Sequence, residues 1–183
     1  SNVEALLTPV RENSITEVRQ TYRAQVDRAI KRALRALGYY QSIIHYSWQE
    51  SKTEKSTLLI ADIQLGKPVR IADTSLKVRG EAKDDRVFKR LQRRLPKKGR
   101  QLNHGEYESF KSSIERSAVQ HGYFDGKFLT SELGVDAEKN KAYWTFDYDS
   151  GKRYRFGDVR FSGSQIRETI LQNLLPFKKG DPY

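Results

Sequence analysis

Gly122-Tyr123-Phe124 has a counterpart at Gly38-Tyr39-Tyr40, 84 residues earlier in the chain. Each triplet ends a run of apolar residues at helical spacing, and each is followed by an apolar, strand-like run. Glycine is the residue that adopts the positive φ angle of a helix C-cap without penalty. The recurring pattern therefore predicts, at both places, a helix that ends at glycine, then a buried aromatic ring and a strand.

Three further segments recur in the same order. They pair residues 66–71 (GKPVRI) with 151–156 (GKRYRF), 76–80 (LKVRG) with 159–163 (VRFSG), and 95–99 (LPKKG) with 175–180 (LPFKKG). Offsets of 80 to 85 residues, kept in one order, indicate tandem modules.

The repeat sets the predicted domain boundaries. We expect a first module at residues 1–68, a second at 69–151 and the start of a third at 152–183. A module of this size buries only about 60% of the surface that its unfolded chain exposes, so we expect modest stability and support from neighbouring segments.

Composition excludes several classes of function. The chain has no cysteine, which rules out disulfides, thiolate catalysis and cysteine metal sites. It has no methionine either, so we expect Ser1 to be a processed or engineered start within a longer protein. No apolar run approaches the ~18 residues of a membrane helix.

Positive charge is concentrated in one stretch. The net charge is +11, and residues 67–100 carry 13 Lys and Arg against 4 Asp and Glu. Such a stripe suits nucleic acid, anionic headgroups or an acidic protein. A solvated helix face is the alternative explanation.

In the first module, Ser14 and Glu17 stand at capping-box spacing after a short helical segment at residues 1–12. They predict the start of a second helix that ends at Gly38. Its inward stripe is Val18, Tyr22, Val26, Ile30, Leu34 and Leu37. Alternating residues around 44–48 and 59–65 then predict a β-hairpin, joined by a polar turn at 49–56.

The second module has the complete order of strand, helix, helix, strand and strand. Its predicted elements are a strand at 75–79, a helix near 84–95, a helix from about 103 to Gly122, and two hairpin strands. In the last strand, residues 142, 144, 146 and 148 alternate with polar neighbours and face inward. The predicted fold class is therefore α+β, with tandem β-α-α-β-β modules that each cover a three-stranded mixed sheet with two helices. The first module lacks its opening strand and the third is truncated.

The alternation changes phase between the modules. Val69 and Ile71 are odd-numbered, whereas Leu76 and Val78 are even-numbered. One face of a strand cannot hold both pairs without a bulge or a break. We therefore expect a junction here, at which one module finishes and the next begins.

This β-α-α-β-β order, with a Gly-aromatic step after the second helix and Pro-x-x-Gly between the helices, resembles the POTRA family of polypeptide-transport-associated modules. Such modules stand in tandem before the barrels of outer-membrane assembly proteins. Segments 121–125 (HGYFD), 143–148 (YWTFDY) and 153–157 (RYRFG) are more similar to TamA-like members than to BamA-like ones. The resemblance covers nearly the whole chain.

The resemblance implies modules that project into the periplasm of a Gram-negative bacterium. They would guide unfolded outer-membrane clients, such as autotransporters, to the protein's own C-terminal barrel, which is absent from this chain. They would also contact a TamB-like partner anchored in the inner membrane. The resemblance implies no cofactor and no catalysis.

The predicted sheet suggests how clients bind. If the second hairpin strand is central, the first is an edge whose free N–H and C=O groups accept an added strand. These edges are residues 41–48 and 127–133, and their candidate binding residues are Ile43, Ile44, Tyr46, Trp48, Phe128 and Leu129. Core packing is the alternative role for these apolar residues, and we expect Tyr39, Tyr123 and Phe124 to be core.

The rival function is nucleic-acid or headgroup binding through a basic patch. Its residues are Arg90, Arg93, Arg94, Lys97, Lys98 and Arg100. The patch lacks the interleaved aromatics of single-strand platforms and any helix-turn-helix pattern, which argues against nucleic acid as its partner.

The sequence offers no enzyme site. His45, His104 and His121 lack metal-ligand spacing, and Asp147 with Asp149 is the pattern of two solvated acids on one strand face. We therefore predict that the chain is not an enzyme.

Overall fold

The computed structural model of the chain describes residues 2–50, 56–163, 165 and 167–183. The described chain forms two compact units. Unit 1 comprises Ser1–Arg70, Gln101–His104 and Val135–Lys141, and unit 2 comprises Ile71–Arg100, Gly105–Gly134 and Ala142–Tyr183. Short later segments therefore belong to the first unit.

Helices and strands come in separate runs along the chain, as expected of an α+β protein, which confirms the predicted fold class. The elements are α1 (Asn2–Ala36), β1 (Ile43–Glu50), β2 (Thr57–Gln64), β3 (Arg70–Arg79), a 3₁₀ turn (Glu81–Asp84), α2 (Arg86–Arg93), α3 (His104–Gln120), β4 (Lys127–Asp136), β5 (Lys141–Asp149) and α4 (Glu168–Asn173).

The predicted helix break near Ser14 is wrong, because α1 runs without interruption from Asn2 to Ala36. A capping-box spacing inside a continuous helical pattern does not stop the helix, since residues 14 to 17 can keep helical dihedrals. The side chains before Ile15 are outside the described set, as is most of the predicted turn at 49–56.

In unit 1, β1 and β2 form an antiparallel hairpin that packs one face against α1. Tyr46 pairs with Ala61 and Trp48 with Leu59. The Tyr46 hydroxyl donates to Asp27 on α1 at 3.2 Å, and the rings of Trp48 and Tyr22 lie 6.4 Å apart. These contacts fix the face of β1 that points at the helix.

Burial in unit 1 is shallow. Of the residues between 15 and 66 whose side chains are described, Gly38 alone is classed as buried. Val26, Ile30 and Leu34 on the predicted stripe of α1 are half-buried, whereas Val18 is 68% exposed. Val69 and Leu102, both fully buried, supply the apolar core at the end of this unit.

Two structurally equivalent clusters, which we name the glycine clasps, account for the sequence repeat. The first consists of Gly38, Val69 and Leu102, in unit 1. Its glycine has a φ of 88° and ends α1 in a Schellman motif, with Tyr39 N–H donating to the carbonyl of Leu34 at 2.9 Å. The Gly38 carbonyl then accepts from Val69 N–H at 2.8 Å, and Val69 C=O accepts from Leu102 N–H at 2.9 Å.

The second clasp consists of Gly122, Tyr154 and Tyr183, in unit 2. Gly122 has a φ of 79°, and its carbonyl accepts from Tyr154 N–H at 2.7 Å. Tyr154 C=O accepts in turn from Tyr183 N–H at 3.2 Å. The same helix stop and the same pair of downstream bonds are therefore built twice.

In unit 2, β3, β5 and β4 form a three-stranded sheet with β5 in the centre. The inward residues of β5 are those predicted, since Ala142, Trp144, Phe146 and Tyr148 are all buried. The Tyr107 ring of α3 stacks on Phe146 at 5.0 Å, and the Phe88 ring of α2 stacks on Tyr148 at 6.0 Å. Both helices thus contribute aromatic rings to the core of the sheet.

The strand β3 runs straight through the predicted phase change. It extends from Arg70 to Arg79, and the boundary between the two units falls between Arg70 and Ile71, within the predicted junction. Ile71 and Leu76 are both buried, although their parity places them on opposite sides of a regular strand. Burial thus changes phase along β3, at odd-numbered Ile71 near its start and at even-numbered Leu76 and Val78 near its end.

The ring that follows the second clasp is a core residue, as predicted. Tyr123 is 3% exposed, and burial raises the pKa of its phenol, as does the hydrogen bond that its hydroxyl donates to Asp85 at 3.1 Å. Asp85 also accepts from Val87 N–H and so caps α2. The prediction for Phe124 is wrong: its side chain is 44% exposed, and its ring packs edge-on against the Tyr154 and Tyr183 rings.

We expect Gly38→Ala to destabilise the chain more than Gly99→Ala. Both glycines have a φ near 88°, so alanine carries about 1–2 kcal/mol of backbone strain at either site. A Cβ at Gly38 would lie 2.8 Å from the Leu102 carbonyl, whereas a Cβ at Gly99 meets nothing within 4 Å. Overpacking should therefore cost Gly38→Ala about 1–3 kcal/mol more. Chemical denaturation of both variants measures the difference, and equal losses would contradict the clasp.

We expect Tyr123→Ala to unfold unit 2 rather than to remove one binding partner selectively. Deleting a buried aromatic ring costs about 3–5 kcal/mol. Tyr123→Phe keeps the ring, removes only the bond to Asp85 and should cost about 1–2 kcal/mol. Thermal melts followed by circular dichroism test both values, and a normal melt for Tyr123→Ala would refute the core assignment.

Candidate functional site

The free strand edges are the main candidate for a binding site. In unit 2, β5 lies between β3 and β4, so β4 is an edge strand. In unit 1, β1 and β2 pair only with each other within the described residues. The strands predicted as edges are thus without a partner on their outer side in the part of the chain that the structure describes.

The six predicted edge residues fall into two groups. Ile43 is 55% exposed and Leu129 is 50% exposed, so these two side chains are available to a ligand. The other four are half-buried supports of the strand: Ile44, Tyr46, Trp48 and Phe128. The Phe128 ring, for example, packs edge-on against Tyr148 at 5.0 Å. Their role in binding stays a prediction.

The edge of β1 is more regular than that of β4. Exposed and half-buried residues alternate in β1 without a phase change from Ile43 to Gln49. In β4, Thr130 and Ser131 are both half-buried, and the alternation is out of phase on either side of them. Irregularity of this kind blunts an edge against strand addition, so β1 presents the better template.

The predicted basic patch is exposed along its whole length. Its six residues are Arg90, Arg93, Arg94, Lys97, Lys98 and Arg100. Arg100 donates to the Glu106 carboxylate at 2.5 Å, which neutralises one of the six charges. A function for the patch stays a prediction, and a solvated surface remains the alternative.

Sequence reasoning missed a second cluster of cations. A cavity of about 510 Å³ in unit 1 is lined by Arg28, Lys31, Arg32, Arg35, Ala36 and His104. Lys31, Arg32 and Arg35 follow Arg28 by three, four and seven positions on α1. This spacing places the four basic residues on one helix face. That spacing is present in the sequence, but the prediction for this helix considered only its apolar stripe.

Two of the three histidines have hydrogen-bond partners within the fold. His104 Nε2 lies 2.8 Å from the Tyr40 hydroxyl, and His121 Nδ1 lies 2.8 Å from the carbonyl of Ser117. Burial raises the pKa of the Tyr40 phenol, against the opposing charge of Arg35. In the described part of the chain, no three His, Asp or Glu side chains are placed to hold a metal ion.

The acids Asp147 and Asp149 have structural partners instead of being merely solvated. Asp147 accepts two hydrogen bonds from the Arg79 guanidinium, at 2.7 and 2.6 Å. These bonds hold the pKa of the Asp147 carboxyl below its usual value of 3.8. Asp149 accepts from Gly151 N–H at 3.0 Å. Both carboxylates therefore brace the end of the sheet.

We expect the Asp147–Arg79 pair to contribute stability at neutral pH that is lost in acid. Because folding lowers the pKa of this carboxyl, its contribution is complete above the unfolded value and disappears as the pH falls below 3.8. Asp147→Asn should therefore be less stable than the parent at pH 7 and equal to it well below pH 3.8. Glu138→Gln is the control, since Glu138 is exposed and has no ion-pair partner in the described residues. Denaturation curves across this range measure the effect, and a pH-independent difference would contradict it.

No helix within the described residues has the length and apolarity that crossing a membrane requires. Residues 1–65 match the family model for POTRA domain, TamA domain 1.

Two solved structures are similar to this chain. The crystal structure of Haemophilus influenzae BamA POTRA3-5 shares 16% identity, with a TM-score of 0.46, and the match covers 84% of this chain and 63% of that one. The structure of BamA from Haemophilus ducreyi lacking POTRA domains 1-3 shares 17% identity, with a TM-score of 0.36, and covers 75% and 26%. The chain thus spans less than two thirds of either one.

Residues 1–65 are thus similar to a POTRA domain of the TamA type. The match confirms, for this part of the chain, the resemblance inferred from the sequence.

Proposed function

We propose that the chain is a non-enzymatic scaffold of a TamA-like outer-membrane assembly protein, on the periplasmic side of the outer membrane. It holds unfolded outer-membrane clients, among them autotransporters, by strand addition to the edge of β1. A TamB-like protein is the proposed inner-membrane-anchored partner, and the C-terminal barrel is the proposed acceptor of the client. The observation that carries the proposal is the regular, unpaired edge of β1 in a domain of the TamA type.

The geometry of β1 suits an extended client. The strand has 8 residues, and its helix-facing side chains are held by contacts with α1, so the backbone edge is presented without reorganisation. Arg19 lies over the Trp48 ring at 5.5 Å and Arg23 over the Tyr46 ring at 5.4 Å. A preorganised edge lowers the entropy that binding must offset.

The energetics favour weak, reversible binding. Each backbone hydrogen bond contributes about 1 kcal/mol net, whereas ordering each client residue costs about 1–2 kcal/mol. Backbone pairing by itself therefore contributes a net free energy of binding close to zero. Burial of the exposed apolar side chain of Ile43 supplies the remaining favourable free energy. A client held in this way is released easily, as a transfer step requires.

The test is a pair of matched lysine substitutions. Ile43 on β1 and Leu58 on β2 are 55% and 56% exposed and lie on the same, outward face of the hairpin. A photo-crosslinker at the exposed Ser47 on β1 reports capture of an unfolded outer-membrane barrel protein. Ile43→Lys should reduce capture about tenfold, because an edge lysine opposes strand addition. Leu58→Lys should change it less than about twofold.

A crosslinker at the exposed Glu108 on α3 controls for non-specific capture. Equal capture from Glu108 and Ser47 would refute the edge as the binding site. A larger effect of Leu58→Lys than of Ile43→Lys would transfer the site to the outer edge of β2.

A further inference from the structure

The cationic cavity on α1 is built from residues that the proposed function does not use. Arg28, Lys31, Arg32 and Arg35 line it on the helix side, and His104 lines it from the short segment 101–104 of the same unit. One turn of helix rises about 5.4 Å, so the four charges lie within about two turns. They form one compact cluster rather than an extended stripe.

The charges of this cluster are poorly neutralised. Lys31 pairs with Asp27 at 2.9 Å. Arg28, Arg32 and Arg35 have no carboxylate partner within the described residues, and no acidic residue lines the cavity. Like charges three and four positions apart destabilise an isolated helix. The arrangement therefore carries an electrostatic cost that a bound anion removes.

The far wall of the cavity is held in place. The Tyr40 hydroxyl lies 2.8 Å from His104 Nε2, and the two rings stand 6.3 Å apart. Tyr40 lies two residues after Gly38 of the first glycine clasp, so the clasp helps to position the imidazole relative to α1. His104, held by Tyr40, and the guanidinium groups of α1 thus line one surface depression from two segments of the chain.

We propose that this cavity binds a phosphate-bearing anion. Its volume of about 510 Å³ lies in the range of small-ligand sites. Guanidinium groups match phosphate oxygens in bidentate geometry, and three arginines line this one pocket. A compact group with several oxygens fits this cluster better than an acidic peptide, whose carboxylates are spread along an extended chain. The group is carried by a soluble phosphorylated compound or by an anionic phospholipid headgroup.

The experiment uses the 183-residue chain and two triple variants that remove the same charge. Arg28→Gln with Arg32→Gln and Arg35→Gln empties the cavity of three charges, and glutamine keeps a similar helix propensity. Arg90→Gln with Arg93→Gln and Arg94→Gln is the control, since it removes three charges from the basic patch. Circular dichroism verifies that all three proteins are folded.

Two probes distinguish the source of the phosphate at about 150 mM salt, where long-range attraction is screened. Calorimetric titration with inorganic pyrophosphate tests a soluble ligand, and flotation with phosphatidylglycerol against phosphatidylcholine vesicles tests a headgroup. The cavity variant should lose about tenfold or more in affinity for the probe that binds, and the control variant less than about threefold.

Several results would overturn the proposal. Equal losses in the two triple variants would reduce the effect to net charge. Failure of the parent chain to bind either probe would remove the site. Binding of polyglutamate alone would show that the cavity takes an acidic peptide. The β1 edge is tested with Ile43→Lys, so failure here leaves the proposed function unaffected.

Discussion

The fold depends on one hydrogen bond that is made twice, from a downstream N–H to the carbonyl of the glycine that ends a long helix. The carbonyls of the last helical turn have no partner inside the helix and carry the negative end of its dipole. The left-handed conformation of Gly38 and of Gly122 turns the chain back, and the Val69 and Tyr154 amides satisfy the glycine carbonyls. Each helix end thereby becomes the anchor of the segment that follows.

The two units share this anchor but differ in the size of their apolar cores. In unit 2, two helices supply rings to a three-stranded sheet, and the buried residues include Phe88, Ile114 and Phe146. In unit 1, a single helix packs on a two-stranded hairpin, and among its described side chains the fully buried apolar ones are those of Val69 and Leu102. Fewer helices and strands bury less surface and leave more strand edge unpaired. The availability of β1 is thus a direct consequence of the thin architecture around it.

The sequence was most informative where one residue type determines the local geometry. Glycine at a helix end and strict alternation in β5 each had one structural solution, and both predictions are confirmed. Predictions failed where tertiary packing decides among local options. The spacing of Ser14 and Glu17 is compatible with a cap and with a helix interior. Phe124 had the composition of a core residue, but its position after the clasp leaves it at the surface beside Tyr183.

The candidate sites could be predicted in kind but not in detail. Alternation identified β1 and β4 as hairpin strands, and the central place of β5 then made β4 an edge. The difference between the two edges required the burial pattern, because Thr130 and Ser131 carry no phase signal in sequence. The cavity on α1 could not be predicted from the helix sequence alone, because His104 also lines it. Net charge by itself does not locate a ligand site, because the proposed pocket combines the guanidinium groups of α1 with the His104 imidazole, which lies about 70 residues further along the chain.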